Sequence, residues 1–281
     1  MPPSIYGKEP GVRDVGYRSL KKVFTLKNEK LMTLMNKWYI RRDFSVAAAK
    51  MGKRGIALSS DEPPADALFW EMWNECEDIA RQVLDTDYFR GIRNNNLDPN
   101  AYGSLMVQDA YYCFEAENAY AAAASHPLDD VCSDFLKGKC ASYEEYNLYY
   151  HGPWHIRDAS GVIPGDPIKS YAEYEGFVAG HLDSPYLFCV MLPCEYLWNW
   201  IANQLLPAAS PDGLYYFWIE GNGGTPDGAY QMANMLENYR TQMDEEQAKE
   251  IFRTAMQHEL EVFSTATQLN TNALWLRKNT F

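Results

Sequence analysis

Several absences narrow what this 281-residue chain can be. Its most apolar stretch, VMLPCEYLW at 190–198, falls well short of the roughly 18 to 20 residues that a membrane-spanning helix needs. No signal-type apolar segment opens it, so a cytoplasmic protein with no membrane partner is expected. The six cysteines (76, 113, 132, 140, 189 and 194) show no CxxC spacing. Reduced thiols fit that pattern better than a disulfide framework or a zinc site. None of the five histidines has Asp or Glu three or four residues before it, so the di-metal Glu-x-x-His pattern is missing. His151 and His155 are four apart, but Gly152 and Pro153 break any helix that would aim both one way. The GNGG turn at 221–224 lacks the lysine and the strand-to-helix setting of a phosphate loop. A site without metal or cofactor is the expectation. Period-2 alternation is also missing, which excludes sheet architectures.

What the chain does have is apolar and aromatic mass: 47% hydrophobic and 14% aromatic residues, enough for a large buried core. The net charge of −13 is uneven. Residues 1–59 carry 13 Lys/Arg against 4 Asp/Glu, and residues 60–281 carry 12 against 34. A body this acidic is a poor partner for nucleic acid, whose phosphates need clustered cations. The division is into a basic extension (1–59) and a helical domain (60–281). The extension is compatible with an import sequence, although Glu9 and Asp14 speak against that use; docking on the acidic body or on a neighbouring subunit is the simpler role.

Within the body, apolar residues recur at 3.6-residue spacing, which predicts an all-α bundle of seven to eight helices. The Ser/Asp/Pro cluster ALSSDEPPADALFW precedes a helix from about Pro64 to Val83. DPN at 98–100 opens a long one through Ala124. Others are expected near 129–150, 167–183, 185–206, 214–220, 227–243 and 244–270, with Ser184 as N-cap and Pro185 at N1 of the fifth.

The helix faces then single out polar residues. In EIFRTAMQHELEVFSTA, Phe252, Ala255, Met256, Phe263 and Ala266 form the buried stripe. Glu259 falls inside it, whereas Glu261 falls with Gln257, His258, Ser264 and Thr265 on the wet face. A carboxyl held among apolar groups becomes a usable general acid near neutrality, or else a structural group with a hydrogen-bond partner. Asp109 shares a face with Leu105, Met106, Tyr112 and Cys113, while Glu115 and Glu117 turn aside as solvated or paired flanks. Tyr171 lines up with Tyr174, Glu175, Val178 and Leu182. Pro193 removes an N–H from the helix that carries Cys194 and should kink it. Cys194 shares a stripe with Leu187, Val190, Met191, Leu197, Trp198 and Ile201. On local sequence it is either core packing, the simpler reading, or a nucleophile aimed into a pocket.

With these residues in place, three segments resemble the TenA family of thiaminase II-type enzymes. They are FRGIRNNNLDPNAYGSLMVQDAYYC (89–113), VMLPCEYLW with the following WIEGNGG (218–224), and FRTAMQHELEVF (252–263). The likeness covers about residues 65–270. It implies a haem-oxygenase-like fold, no cofactor, and a dimeric or tetrameric homo-oligomer. It implies Cys194 as the active-site thiol and Glu259 as the catalytic glutamate. Asp109 would grip an aminopyrimidine ring, Tyr112 and Tyr171 would line the pocket, and Trp198 would stack on the heterocycle. The implied reaction is hydrolysis of a C–N bond on a 2-methyl-4-aminopyrimidine, in thiamine salvage. Two positions depart from the family pattern: Asn222 stands where a tyrosine is usual, and Val262-Phe263 where Phe-Trp is usual. These departures leave two other functions standing. One is another small nitrogenous substrate on the same scaffold, cofactorless oxidation included; the other is small-molecule binding without catalysis.

Overall fold

The computed structural model describes residues 59–268, so the basic extension lies outside the described residues except for Ser59, as do residues 269–281. Among the described residues there is no strand. Seven long α-helices and two short ones follow in order: α1 Leu68–Leu84, α2 Asp87–Arg93, α3 Pro99–Ala124, α4 Asp130–Tyr146, α5 Asp166–His181, α6 Tyr186–Leu205, α7 Tyr216–Asn222, α8 Asp227–Glu237 and α9 Glu245–Thr265. No helix among the described residues is long and apolar enough to cross a membrane.

Helix starts follow from capping chemistry. Asp98 accepts the Asn100 N–H at 2.9 Å with Pro99 in the first turn, and Asp129 and Asp244 cap α4 and α9 in the same way. Helix α1 has no side-chain cap of its own; the Leu68 N–H donates to Glu237 of α8 at 2.8 Å. An acidic group at the positive end of a helix is favourable there. The expected cap at Ser184 is not made. Helix α6 starts at Tyr186, and the Ser184 hydroxyl instead accepts the Leu128 N–H at 3.0 Å, tying down the loop before α4. Helix α2 has no counterpart in the sequence reading: it is as short as α7, but no turn cluster sets it off from α1, and Asn95, at φ 55°, stands just past its end.

One core holds these elements together. Helix α3 lies against α4 and α5, α9 against α1, α5 and α6, and α6 against α5, α7 and α8. The whole stripe Leu187, Val190, Met191, Leu197, Trp198 and Ile201 is buried, each such side chain stabilising the fold by about 1.5–3 kcal/mol before entropy is counted. Helix α6 continues through Pro193. The helix is therefore unbroken at Pro193, where the sequence predicts a kink, and Cys194 is the next residue along it.

Candidate functional site

Helices α3, α5, α6 and α9 converge on one cavity. Asp109 and Tyr112 enter it from α3, Tyr171 from α5, Cys194 and Trp198 from α6, and Glu259 from α9; Leu105, Ile168 and Val262 complete the wall. Six of the seven residues singled out from sequence thus meet in one place. Asn222 does not. It is buried at the end of α7, where its side-chain amide donates to the Trp218 carbonyl at 2.8 Å. Trp218 in turn packs against Trp198, with ring centroids 5.9 Å apart, so Asn222 acts at one remove from the cavity wall. Of the Val262-Phe263 pair, Val262 lines the cavity and Phe263 buttresses Trp198 from behind, at 5.4 Å.

The face assignments hold for the two glutamates of α9. Glu259 is 2% exposed, whereas the Glu261 side chain is 63% exposed and 3.8 Å from His258. His258 departs from the expected wet face: its ring is half-buried, stacked on Tyr171 at 5.4 Å and 11°, and burial lowers its pKa. Asp109 is buried at 6% exposure, and Glu115 and Glu117 are partly exposed flanks, as expected. Glu117 accepts from Asn147 at 2.8 Å.

The two thiols of α6 have different surroundings. Cys189 is fully enclosed, and burial pushes its pKa far up, which leaves it inert. Cys194 is half-buried and lines the cavity with Asp109, Glu259, Tyr112 and Tyr171. Next to it, Glu195 pairs with Lys139 of α4 at 3.0 Å, and both side chains are sealed from solvent. The tyrosines are held as neutral phenols. Burial raises the pKa of Tyr112, and nearby Cys194 and Glu175 raise it further. Burial and Glu259 do the same to Tyr171. Their rings stand 5.0 Å apart at 38°.

The cavity is tight. Its free volume is about 10 Å3, room for about one water, far below the roughly 300 Å3 of a small-molecule pocket. A heterocycle therefore enters only when wall side chains give way. Among the described residues, no group of three His, Cys, Asp or Glu side chains is gathered closely enough to hold a metal ion.

One residue of this neighbourhood was not selected from sequence. Glu175 is fully buried on α5, and the Tyr112 hydroxyl donates to it at 2.5 Å. The signal was present, since Glu175 shares the inward stripe of Tyr171 and Val178, but periodicity does not say which partner awaits it.

No family sequence model matches the chain, and neither does any curated protein. Solved structures do. A TenA homologue from Pyrococcus furiosus aligns at a TM-score of 0.60 and 18% identity, covering 71% of this chain and 99% of its own. The fold is that of the TenA homologues. A TenA family transcription regulator from Silicibacter gives a TM-score of 0.61 at 18% identity over 73% of this chain and 98% of its own. A Sulfolobus solfataricus protein described as a candidate TenA-like thiaminase gives 0.54 at 15% over 71% and 96%. That fold agrees with the all-α bundle predicted from helix periodicity. Nearly the full length of each of these relatives is matched, so the bundle is shared as a whole.

Proposed function

We propose that this protein is a TenA-type enzyme that hydrolyses a C–N bond on a 2-methyl-4-aminopyrimidine, as an aminopyrimidine aminohydrolase of the thiaminase II kind. The observation that carries this reading is the convergence of Cys194, Glu259, Asp109, Tyr112, Tyr171 and Trp198, from four helices, on one cavity. The likeness in fold to a protein described as a candidate thiaminase supports it.

The residues divide the chemistry between them. Asp109 accepts hydrogen bonds from the amidine-like edge of the ring and stabilises the positive charge that builds there. The Cys194 sulfur adds to the ring, and the exocyclic C–N bond breaks as its electron pair goes to nitrogen. Glu259 gives that leaving nitrogen its proton, so ammonia departs from an aminomethyl substrate. The resulting carboxylate then takes a proton from water, whose oxygen forms the new C–O bond, and the C–S bond breaks to restore Cys194. Trp198 supplies an aromatic face for the ring, and Tyr112 and Tyr171 stay neutral; Tyr112, whose proton goes to Glu175, offers only its oxygen as an acceptor. Because the cavity is tight, ring binding and wall movement are coupled, and Val262, smaller than an aromatic residue, gives part of the space.

The test is ammonia release from 4-amino-5-aminomethyl-2-methylpyrimidine by purified protein, with thiamine run alongside. Turnover of the aminomethyl compound above that of thiamine supports salvage hydrolysis. No turnover of either by folded protein rejects this substrate class.

A further inference from the structure

Behind the cavity lies a carboxyl that the reaction above does not use. Glu175 is 0% exposed and sits one helical turn beyond Tyr171 on α5. Tyr112 donates its hydroxyl to Oε1 at 2.5 Å, joining α3 to α5 directly behind the cavity wall. The other oxygen, Oε2, is sealed from solvent and has no hydrogen-bond partner among the described residues. An ionised carboxylate so placed costs several kcal/mol unless a cation answers it. Glu259 and Glu195 act on Glu175 with its own sign, and the buried cation Lys139 is taken up by its 3.0 Å pair with Glu195. Burial, opposed by the Tyr112 hydrogen bond and reinforced by those two carboxylates, raises its pKa well above the usual range.

We propose that Glu175 is a positioning residue of the cavity, a neutral carboxylic acid that fixes the Tyr112 hydroxyl and so sets the polar wall Tyr112 presents to the substrate ring. This rests on the reading of the cavity as an aminopyrimidine site. A free phenol hydroxyl swings about its C–O bond, whereas one held at 2.5 Å has its proton committed to Glu175, so that its oxygen can only accept from other groups. Neutrality matters too, because an ionised Glu175 would add a negative charge behind the cavity and oppose thiolate formation at Cys194. Tyr112 lies between Glu175 and the cavity, so Glu175 acts through it.

Infrared difference spectra of the full-length protein test the assignment without substrate. Wild type minus Glu175→Gln should show a protonated-carboxyl C=O band, and Tyr112→Phe should shift that band to higher frequency as the hydrogen bond is lost. A missing band, or one indifferent to Tyr112→Phe, overturns the proposal. Kinetics on the aminomethylpyrimidine test the role. Glu175→Leu should raise KM about tenfold with little change in kcat, the effect of one misdirected hydrogen bond. Glu175→Gln keeps a neutral acceptor and should recover most of that loss. Tyr112→Phe combined with Glu175→Leu should be no worse than Tyr112→Phe alone; additive losses overturn the positioning role. If wild type turns over no aminopyrimidine, the substrate reading falls, and the two infrared results alone decide whether Glu175 holds Tyr112.

Discussion

Lys139 and Glu195 form a 3.0 Å ion pair with both side chains almost wholly buried, at 4% and 5% exposure, and Glu195 is the residue next to Cys194. The Tyr143 hydroxyl also reaches Glu195, at 3.4 Å. The pair ties α4 to α6 at the turn that aims the thiol. Lys139→Met should therefore lower stability by about 3–5 kcal/mol, because the Glu195 carboxylate stays buried without its cation. Urea unfolding measures this. A loss below about 1 kcal/mol would mean that water reaches Glu195 in the variant.

Cys194→Ala should keep the fold and the affinity for an aminopyrimidine while turnover falls on the order of 10³-fold or more. Calorimetric binding alongside an ammonia assay separates the two effects. A variant that binds and still turns over would remove the covalent step from the mechanism.

The two glutamates of α9 give a matched pair. Glu259→Gln should cut turnover by about 10²–10⁴-fold, the usual worth of a general acid. Glu261→Gln, at an exposed side chain, should leave it unchanged. Equal effects at both positions would contradict the burial difference on which their roles rest.

His151 sets a pH dependence. It is enclosed by Phe114, Tyr146 and Tyr150, and burial lowers its pKa to about 3. Between the ordinary value near 6.5 and that depressed value, the unfolded chain binds a proton that the folded one does not. Stability attributable to this site is therefore complete above about pH 6.5 and declines as pH falls toward 3. His151→Phe should flatten that part of the stability–pH curve, with denaturant midpoints at pH 7 and pH 4.5 as the check. An unchanged slope would show that another group governs acid loss.

Much of the fold was legible because helix periodicity and caps are local. DPN marks the start of α3, the stripes of α6 and α9 are buried as spaced, and Glu259 separates from Glu261 on spacing alone. The lapses have one local cause and one tertiary cause. Helix α2 is short and no turn cluster sets it off from α1, and the Ser184 hydroxyl found a better partner in Leu128 than in its own helix.

The sequence by itself determined which residues turn inward, since a 3.6-residue repeat fixes each side chain's face relative to its own helix. It could not determine which inward faces meet, because that depends on how each helix is rotated and crossed against its neighbours. Only the tertiary structure brought Asp109, Tyr171, Cys194 and Glu259 to one cavity and kept that cavity tight. It also packed Trp218 against Trp198 and joined Lys139 to Glu195 across 56 positions of sequence. And it placed Glu175 behind Tyr112, where packing from all sides raises the pKa of its carboxyl, a property no single helix can encode.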